Sequence, residues 1–278
     1  MTDVSCLFWW VCITLASIMI YIGTTGWDYK FWNKSFYPES IDKKLPFYSE
    51  ISAFTELRST YTEIPSEQKV LNWFNATPES FIFVSRLLRT IIDTNDLSIN
   101  ESLIEEFFSA FAPLGNKHQM TLLHFPMKFQ KNEETETFLY DLLTTVGKAY
   151  SGQLLVEAPN RSWQKIEVRD ELAKRSACLV GNDRRPIPSL MRDKSVYYLR
   201  LMGDKRTVPR DEFGENPLDR DDDIHSWADH IKFIDSNTEA VFVAIDNHFS
   251  GNAIADSKLM ATTLQNINAS YKGFMVPN

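Results

Sequence analysis

Eight short apolar runs, recurring along the chain with amphipathic stretches between them, constrain this sequence more than any other feature. They occupy 19–23 (MIYIG), 53–58 (AFTELR), 81–85 (FIFVS), 121–125 (TLLHF), 153–157 (QLLVE), 176–180 (SACLV), 196–201 (VYYLRL) and 241–246 (VFVAID). Runs that are apolar throughout, instead of alternating, are the pattern of parallel strands covered on both faces. The gaps carry helical periodicity. Residues 102–111 place Leu103, Ile104, Phe107, Phe108 and Phe111 on one face, with Asn100 set to cap the start and Pro113-Leu-Gly115 to stop the helix. The stretches 136–146 and 221–234 repeat the arrangement, and a last helix is expected over 256–267. This alternation predicts the α/β class, as a single (β/α)8 TIM barrel over 19–270. An apolar N-terminal extension, 1–18, precedes strand one, and 271–278 form a tail. The alternative is a doubly wound open sheet, but no GxGxxG follows the first strand: Gly23-Thr-Thr-Gly26 runs into aromatics and not into a helix.

The N-terminus invites a different reading. From Val4 to Gly23 the chain carries no charge, a length that meets the rule of about 20 residues for a membrane-spanning helix. Asp3 is acidic and no basic residue precedes the run, which argues against a signal peptide. If residues 19–23 are a barrel strand, the apolar stretch before them falls short of a span of roughly 30 Å. Met19 is then a candidate start, with 1–18 an upstream overextension of the reading frame. The expectation is a cytoplasmic protein, with a form anchored to the membrane through 4–23 as the alternative.

Composition narrows the partners. A formal net charge of −8 argues against general nucleic-acid binding, which depends on cationic neutralisation of phosphates. It leaves room for a local basic mouth. Cys6, Cys12 and Cys178 form no CxxC pair and suggest no disulfide framework, so a reducing compartment is expected. Cys178 reads as a small buried apolar residue.

In a TIM barrel the residues at the C-terminal ends of the strands line the site. Polar residues fall there regularly: Glu56 on strand two, Arg86 after strand three, His124 on strand four, Glu157 ending strand five, Arg200 on strand seven, and Asp246-Asn-His248 at strand eight. Glu56 and Glu157 are the candidate acid and base, provided their surroundings push their pKa values apart. In the competing structural reading, two Glu and two Arg cancel as two ion pairs. Trp27, Tyr61, Arg86, His124, Arg200, Asn247 and His248 are the candidate substrate-binding residues. The loops after strands seven and eight supply a candidate phosphate site from Lys205, Arg206, Ser250 and Gly251, with free backbone amides near the last two. The aromatics Trp27, Tyr29, Trp32, Phe36 and Tyr37 are either a stacking wall or core at the barrel end, and core is the favoured reading. No HExxH or comparable spacing supports a metal, no cofactor motif is present, and no Ser-His-Asp or Cys-His arrangement is legible.

Several segments carry a resemblance. IGTTGWDYKFWNKSFYPE, FTELRSTYTEIPS, VEAPNRSW, YYLRLMGD and NHFSGNA, in that order over about residues 19–268, resemble the YecE-like family, also called domain of unknown function 72. The resemblance implies a TIM barrel related in shape to sugar isomerases and to zinc-dependent apurinic endonucleases, with a pocket but no assigned reaction. Its members begin just before the first strand, which agrees with Met19. Glu56, Thr60, Tyr61, Glu157 and Trp163 match the family pattern. Pro159 falls where the family has Arg, His124 where it has Gln, and Arg86 where Lys is common.

Three functions follow as expectations. The first is a metal-independent hydrolase or isomerase acting on a phosphorylated sugar or nucleotide, with Glu157 or Glu56 as base and Arg200 as anion partner. The second is a non-catalytic module binding a nucleotide or a nucleic-acid end. The third is a membrane-tethered version of either.

Overall fold

In a computed structural model the strands arrive where the apolar runs stand, and they close into a ring. The structure describes residues 18–183, 196–215, 217–232, 234 and 238–275. The strands are β1 (Met19–Thr24), β2 (Phe54–Leu57), β3 (Ile82–Arg86), β4 (His118–His124), β5 (Gln153–Glu157), β6 (Ala177–Leu179), β7 (Gly181–Asn182), β8 (Tyr197–Leu201), β9 (Ala240–Ile245) and β10 (Tyr271–Lys272). The helices are α1 (Trp32–Ser35), α2 (Lys44–Ile51), α3 (Glu67–Asn75), α4 (Glu101–Ala110), α5 (Glu133–Ala149), α6 (Ile166–Ala173), α7 (Asp221–Lys232) and α8 (Ala253–Asn266).

Every pairing is parallel, in the order β6-β5-β4-β3-β2-β1-β9-β8-β7. Its two ends belong to one stretch of chain. β6 bonds to β5 and β7 bonds to β8, while the Val180 amide between them donates to the Val156 carbonyl. This split sixth stave is what turns an open sheet into a barrel, and it removes the doubly wound alternative. Beyond the eight staves, β10 pairs with the lower half of β1, where β2 does not reach. The segment assigned from sequence to a tail thus contributes to the sheet, and Phe274 behind it is buried.

The apolar run at the N-terminus is divided by the same facts. Its last five residues lie in β1, with Ile20 and Ile22 buried, so a span over 4–23 is overturned. Residues 4–17, with Cys6 and Cys12, lie outside the described residues. Among the described residues no helix is long and apolar enough to cross a membrane.

Local chemistry sets the helices. Asn100 caps α4 by accepting from the Leu103 amide at 3.0 Å, as the sequence predicts. α5 opens on a capping box of Asn132 and Thr135 with three acidic residues in its first turn, and it buries Phe138, Leu139, Leu142, Leu143 and Val146 against the strands. It extends beyond the predicted 136–146 because Glu133 and Glu134 suit a helix start better than their polarity suggests for a core-facing element.

Side-chain phase then divides the core in two. Phe54, Val84, Leu122, Leu155, Val180, Tyr198, Phe242 and Ala244 fill the barrel interior, and a larger cluster packs between strands and helices. Gly23 belongs to this design: a Cβ there would lie 2.4 Å from the Phe54 carbonyl oxygen and against the Phe54 ring. The aromatic run after β1 is core, as favoured: Trp32 is fully buried, packed on Tyr29 and Tyr48, and its indole N–H donates to Asn247 at 3.3 Å.

Candidate functional site

Period two carries the site. On β8, Tyr198 points into the barrel, so Arg200 does too; on β5, Leu155 brings Glu157; on β2, Phe54 brings Glu56. These three meet at the centre of the C-terminal mouth. Arg200 grips Glu56 with two bonds, Nε to Oε1 at 2.8 Å and Nη2 to Oε2 at 2.9 Å, and donates Nη1 to Glu157 Oε2. Tyr198 adds its hydroxyl to Glu56 at 3.1 Å. The two-ion-pair reading is therefore corrected. One arginine is bonded to both carboxylates, and Arg86 is bonded to neither, acting on them only from a distance.

Burial of Glu157 would raise its pKa, but Arg200 foremost, and then His124, outweigh that and hold the carboxyl well below the usual carboxylate range. Arg200 is likewise pushed up against the opposing effect of burial, chiefly by Glu157 and Glu56. The expectation that the carboxylates sit in environments suited to a base, with Arg200 free for an anion, is not what this geometry offers. All three are consumed by one another.

His124 completes the group. Its Nδ1 bonds Glu157 Oε2, and its side chain is 33% exposed where Glu157 is 4% exposed. Glu157 Oε1 also accepts from the Asn182 amide at 3.3 Å.

Above this floor lies a cavity of about 430 Å³, a size that accepts a small-molecule ligand. Arg58, Arg86, Arg200, Lys205 and Arg206 line it, against the carboxylates Glu157, Asp204 and Asp246. His124 and His248 line it as well. A chain with net charge −8 thus gathers a local excess of cations at its barrel mouth.

Arg86 is the unusual member. Among the described residues its guanidinium makes no hydrogen bond or ion pair, and its Nε is buried without a partner. It lies over the Tyr61 ring, 4.9 Å from the centroid. Burial first, and then the like charge of Arg200, pull its pKa down. An arginine stays charged regardless.

The remaining candidates divide. Tyr61 borders both Arg86 and His124, whose ring stands edge-on 6.0 Å away. His248 lines the cavity, held by its Nδ1 on the Val208 carbonyl. Lys205 and Arg206 reach the same space from the loop after β8. That loop is fixed at its base, where Asp183 accepts the Met202 and Gly203 amides at 2.7 and 2.8 Å. Gly203, at φ +55, could not carry a Cβ, which would lie 1.9 Å from the His248 carbonyl oxygen.

Four others, Trp27, Asn247, Ser250 and Gly251, are placed outside the cavity lining. Trp27 packs edge-on against Trp73 in the outer core. Asn247 is buried, its Oδ1 accepting from Trp32 and from the Ala253 amide at 3.0 Å. The amides near Ser250 are not all free as expected. Gly251 donates to the Asn247 carbonyl, and the Ser250 hydroxyl donates to Asp256, whose carboxyl burial pushes up to about 7.

Arg58, Asn182 and Asp246 also line the cavity and are not among the candidate site residues read from the sequence. The signal was present: each lies two residues beyond an inward-facing position, at Glu56, Val180 and Ala244. Extending the period past the strand ends finds all three. Among the described residues, no group of three or more His, Cys, Asp or Glu side chains is arranged to hold a metal ion.

Comparison with known proteins agrees with this architecture. The family model described as protein of unknown function DUF72 matches residues 21–273. The UPF0759 protein YunF of Bacillus subtilis (strain 168) is 25% identical over 282 aligned residues, covering 92% of this chain and 97% of that one. Among solved structures, a DUF72 family protein of Thermotoga maritima MSB8 superposes with a TM-score of 0.73 at 20% identity, covering 89% of this chain and 99% of its own. One from Enterococcus faecalis V583 gives 0.71 at 19% identity, covering 94% and 99%. At these identities the solved structures speak for the fold alone.

Proposed function

The chain belongs to the DUF72 family, a family described without a reaction, so the reading rests on the mouth itself, and we propose that this protein acts on a small phosphorylated ligand, a phosphosugar or a nucleotide, as a hydrolase or isomerase. The observation that carries the proposal is Arg86: among the described residues, a guanidinium without hydrogen bond or ion pair, facing a cavity lined by four further cationic side chains. A buried charge is costly unless paired. A phosphoryl oxygen supplies the missing partner and matches the planar fork of an arginine. Lys205 and Arg206 add positive field at the rim.

The assignment of roles shifts from the sequence expectation. Arg86 replaces Arg200 as the anion partner, since Arg200 is occupied by Glu56 and Glu157. We place the protein in the cytoplasm, in keeping with the free, buried Cys178 thiol. The same engagement of both carboxylates favours a second reading, a module that binds a nucleotide or nucleic-acid end without turnover.

The test is a thermal-shift screen against phosphosugars, nucleotides and short oligonucleotides. A ligand that binds only the folded state raises the melting temperature, by about 2.7 kcal/mol of stability at a hundredfold excess over its Kd. The expected result is a shift with a phosphorylated compound that Arg86→Ala abolishes. A shift untouched by that substitution overturns the anion assignment. Conversion of the hit to product separates the enzyme from the binding module.

A further inference from the structure

Both reactions named above need a group that takes and returns a proton, and the two carboxylates are poorly suited to it. Glu56 is fully buried beneath Arg200. Glu157 is surrounded by donors from Arg200, Asn182 and His124. We propose that His124, oriented by Glu157, is the catalytic proton-transfer residue of this site, acting on a phosphorylated ligand whose anionic group lies on Arg86. The inference rests on the reading of the mouth as an anion site.

The geometry assigns the tautomer. An ionised carboxylate only accepts hydrogen bonds. Glu157, facing a guanidinium and held in its ionised form, therefore requires that His124 Nδ1 carry a hydrogen. In the neutral ring, Nε2 is then the lone-pair nitrogen. Both line the cavity, but His124 is a third exposed where Glu157 is almost fully buried, so the basic nitrogen belongs to the more accessible member of the dyad.

Arg200 contributes indirectly. By binding Glu157 and Glu56 together it ties β5 to β2 across the barrel, so the carboxylate that orients His124 cannot turn away. Glu157 is a positioning residue and Arg200 its strut. Tyr61 sets the spacing: His124 and Arg86 border the same ring, so an anion on Arg86 leaves the adjoining atoms of a small ligand near the imidazole.

The step balances within the site. His124 Nε2 takes a proton from a C–H or O–H of the ligand or of an attacking water, and becomes an imidazolium paired with Glu157. The electron pair of the broken bond stays on the ligand or passes into the new bond, with the developing charge beside Arg86. The proton then returns from Nε2 to the neighbouring atom in an isomerisation, or to the leaving oxygen in a hydrolysis.

Diethyl pyrocarbonate acylates the lone-pair nitrogen of a neutral imidazole, which makes it a probe that needs no substrate. The full chain is treated with and without inorganic phosphate, and each histidine is followed by peptide mass spectrometry. His124 is expected to react faster than the surface His225. Phosphate at about ten times its Kd should slow His124 roughly tenfold by occupancy, and Arg86→Ala should remove that protection. Glu157→Gln, in protein shown to be folded, should slow His124 while phosphate still raises the melting temperature. Should that variant not fold, the wild-type comparison with His225 and the phosphate protection still decide the matter. If phosphate stabilises the protein through Arg86 but His124 reacts no faster than His225, or is not protected, His124 is not the proton carrier and the anion site stands. If phosphate neither stabilises nor protects, the anion site falls and this inference with it.

Discussion

Strand β4 carries a histidine at each end, and the two are treated in opposite ways. His118, at the N-terminal floor, is packed among Phe108, Phe111 and Tyr150, with Nε2 bonded to the Ser85 hydroxyl at 2.9 Å. Among the described residues no charge compensates it, and burial lowers its pKa to about 3. His124, at the mouth, is a third exposed and rests on a carboxylate. A register shift beside Val84 lets His118 face outward although Met120 faces in. The floor also has the larger depression, about 870 Å³ between Phe108, His118 and Tyr150 against about 430 Å³ at the mouth. Volume is thus not what distinguishes a candidate site here. At the floor His118 has the Ser85 hydroxyl as partner, whereas among the described residues the mouth leaves one cation without a hydrogen bond or ion pair.

The largest expected effect comes from breaking the centre of the mouth. Arg200→Met removes the only guanidinium bonded to Glu56 and Glu157 among the described residues and leaves two carboxylates buried. Removing one partner of a buried ion pair costs about 3–5 kcal/mol. The measurement is urea denaturation at neutral pH. Adding Glu56→Gln and Glu157→Gln should recover much of the loss, because the unpaired charges go too. A mild effect of Arg200→Met alone would mean that water already reaches these carboxylates.

The floor supplies the second test, through acid. With a folded pKa of about 3 against an unfolded value of about 6.5, the unfolded chain takes up a proton on His118 that the folded chain refuses. The resulting stability is fully present above the unfolded pKa and is lost as pH falls toward the folded one. By pH 4 the loss is about 3 kcal/mol. Carboxylates elsewhere weaken the protein in acid as well, so the informative quantity is a difference. His118→Gln should lose less stability between pH 7 and pH 4 than the wild type. Equal losses would show that the ring is protonated without unfolding, and the contrast between the two histidines would disappear.

The contrast also shows what the sequence could reveal. The eight staves were legible because a parallel barrel buries both faces of each strand, which leaves unbroken apolar runs such as FIFVS and VFVAI. The split at Val180 was not, since a stave shared between two neighbours has the same composition as one that is not. Glu56, Glu157, Arg200, His124 and Arg86 were placed at the mouth by strand position alone. Their pairing was not legible: nothing in the chain says that one arginine serves two carboxylates from strands β2 and β5. Trp27 and Asn247 mark the limit of the method. Both follow strand ends, but the chain turns there, and side-chain phase beyond a strand is set by loop packing, here against Trp73 and Trp32.

The smallest expected effect is the sharpest test of the mouth. Arg200 is buried at the mouth and Arg86 half-buried beside it, yet the first is bonded to two carboxylates and the second lies on a tyrosine ring. Arg86→Met keeps an unbranched apolar stem against Tyr61 and removes a charge that, among the described residues, makes no hydrogen bond or ion pair and whose desolvation Glu56 and Glu157 offset only in part. The loss of a cation–π contact, about 0.5–1 kcal/mol at most sites, is countered by relief of burial and of repulsion from Arg200. Stability in urea should therefore change by no more than about 0.5 kcal/mol, with a gain as acceptable an outcome as a small loss. Groups kept for a ligand and not for the fold show this signature: removal leaves the protein intact and abolishes binding. If Arg86→Met instead unfolds the protein as readily as Arg200→Met, Arg86 supports the barrel, and the cation excess at the mouth is structural.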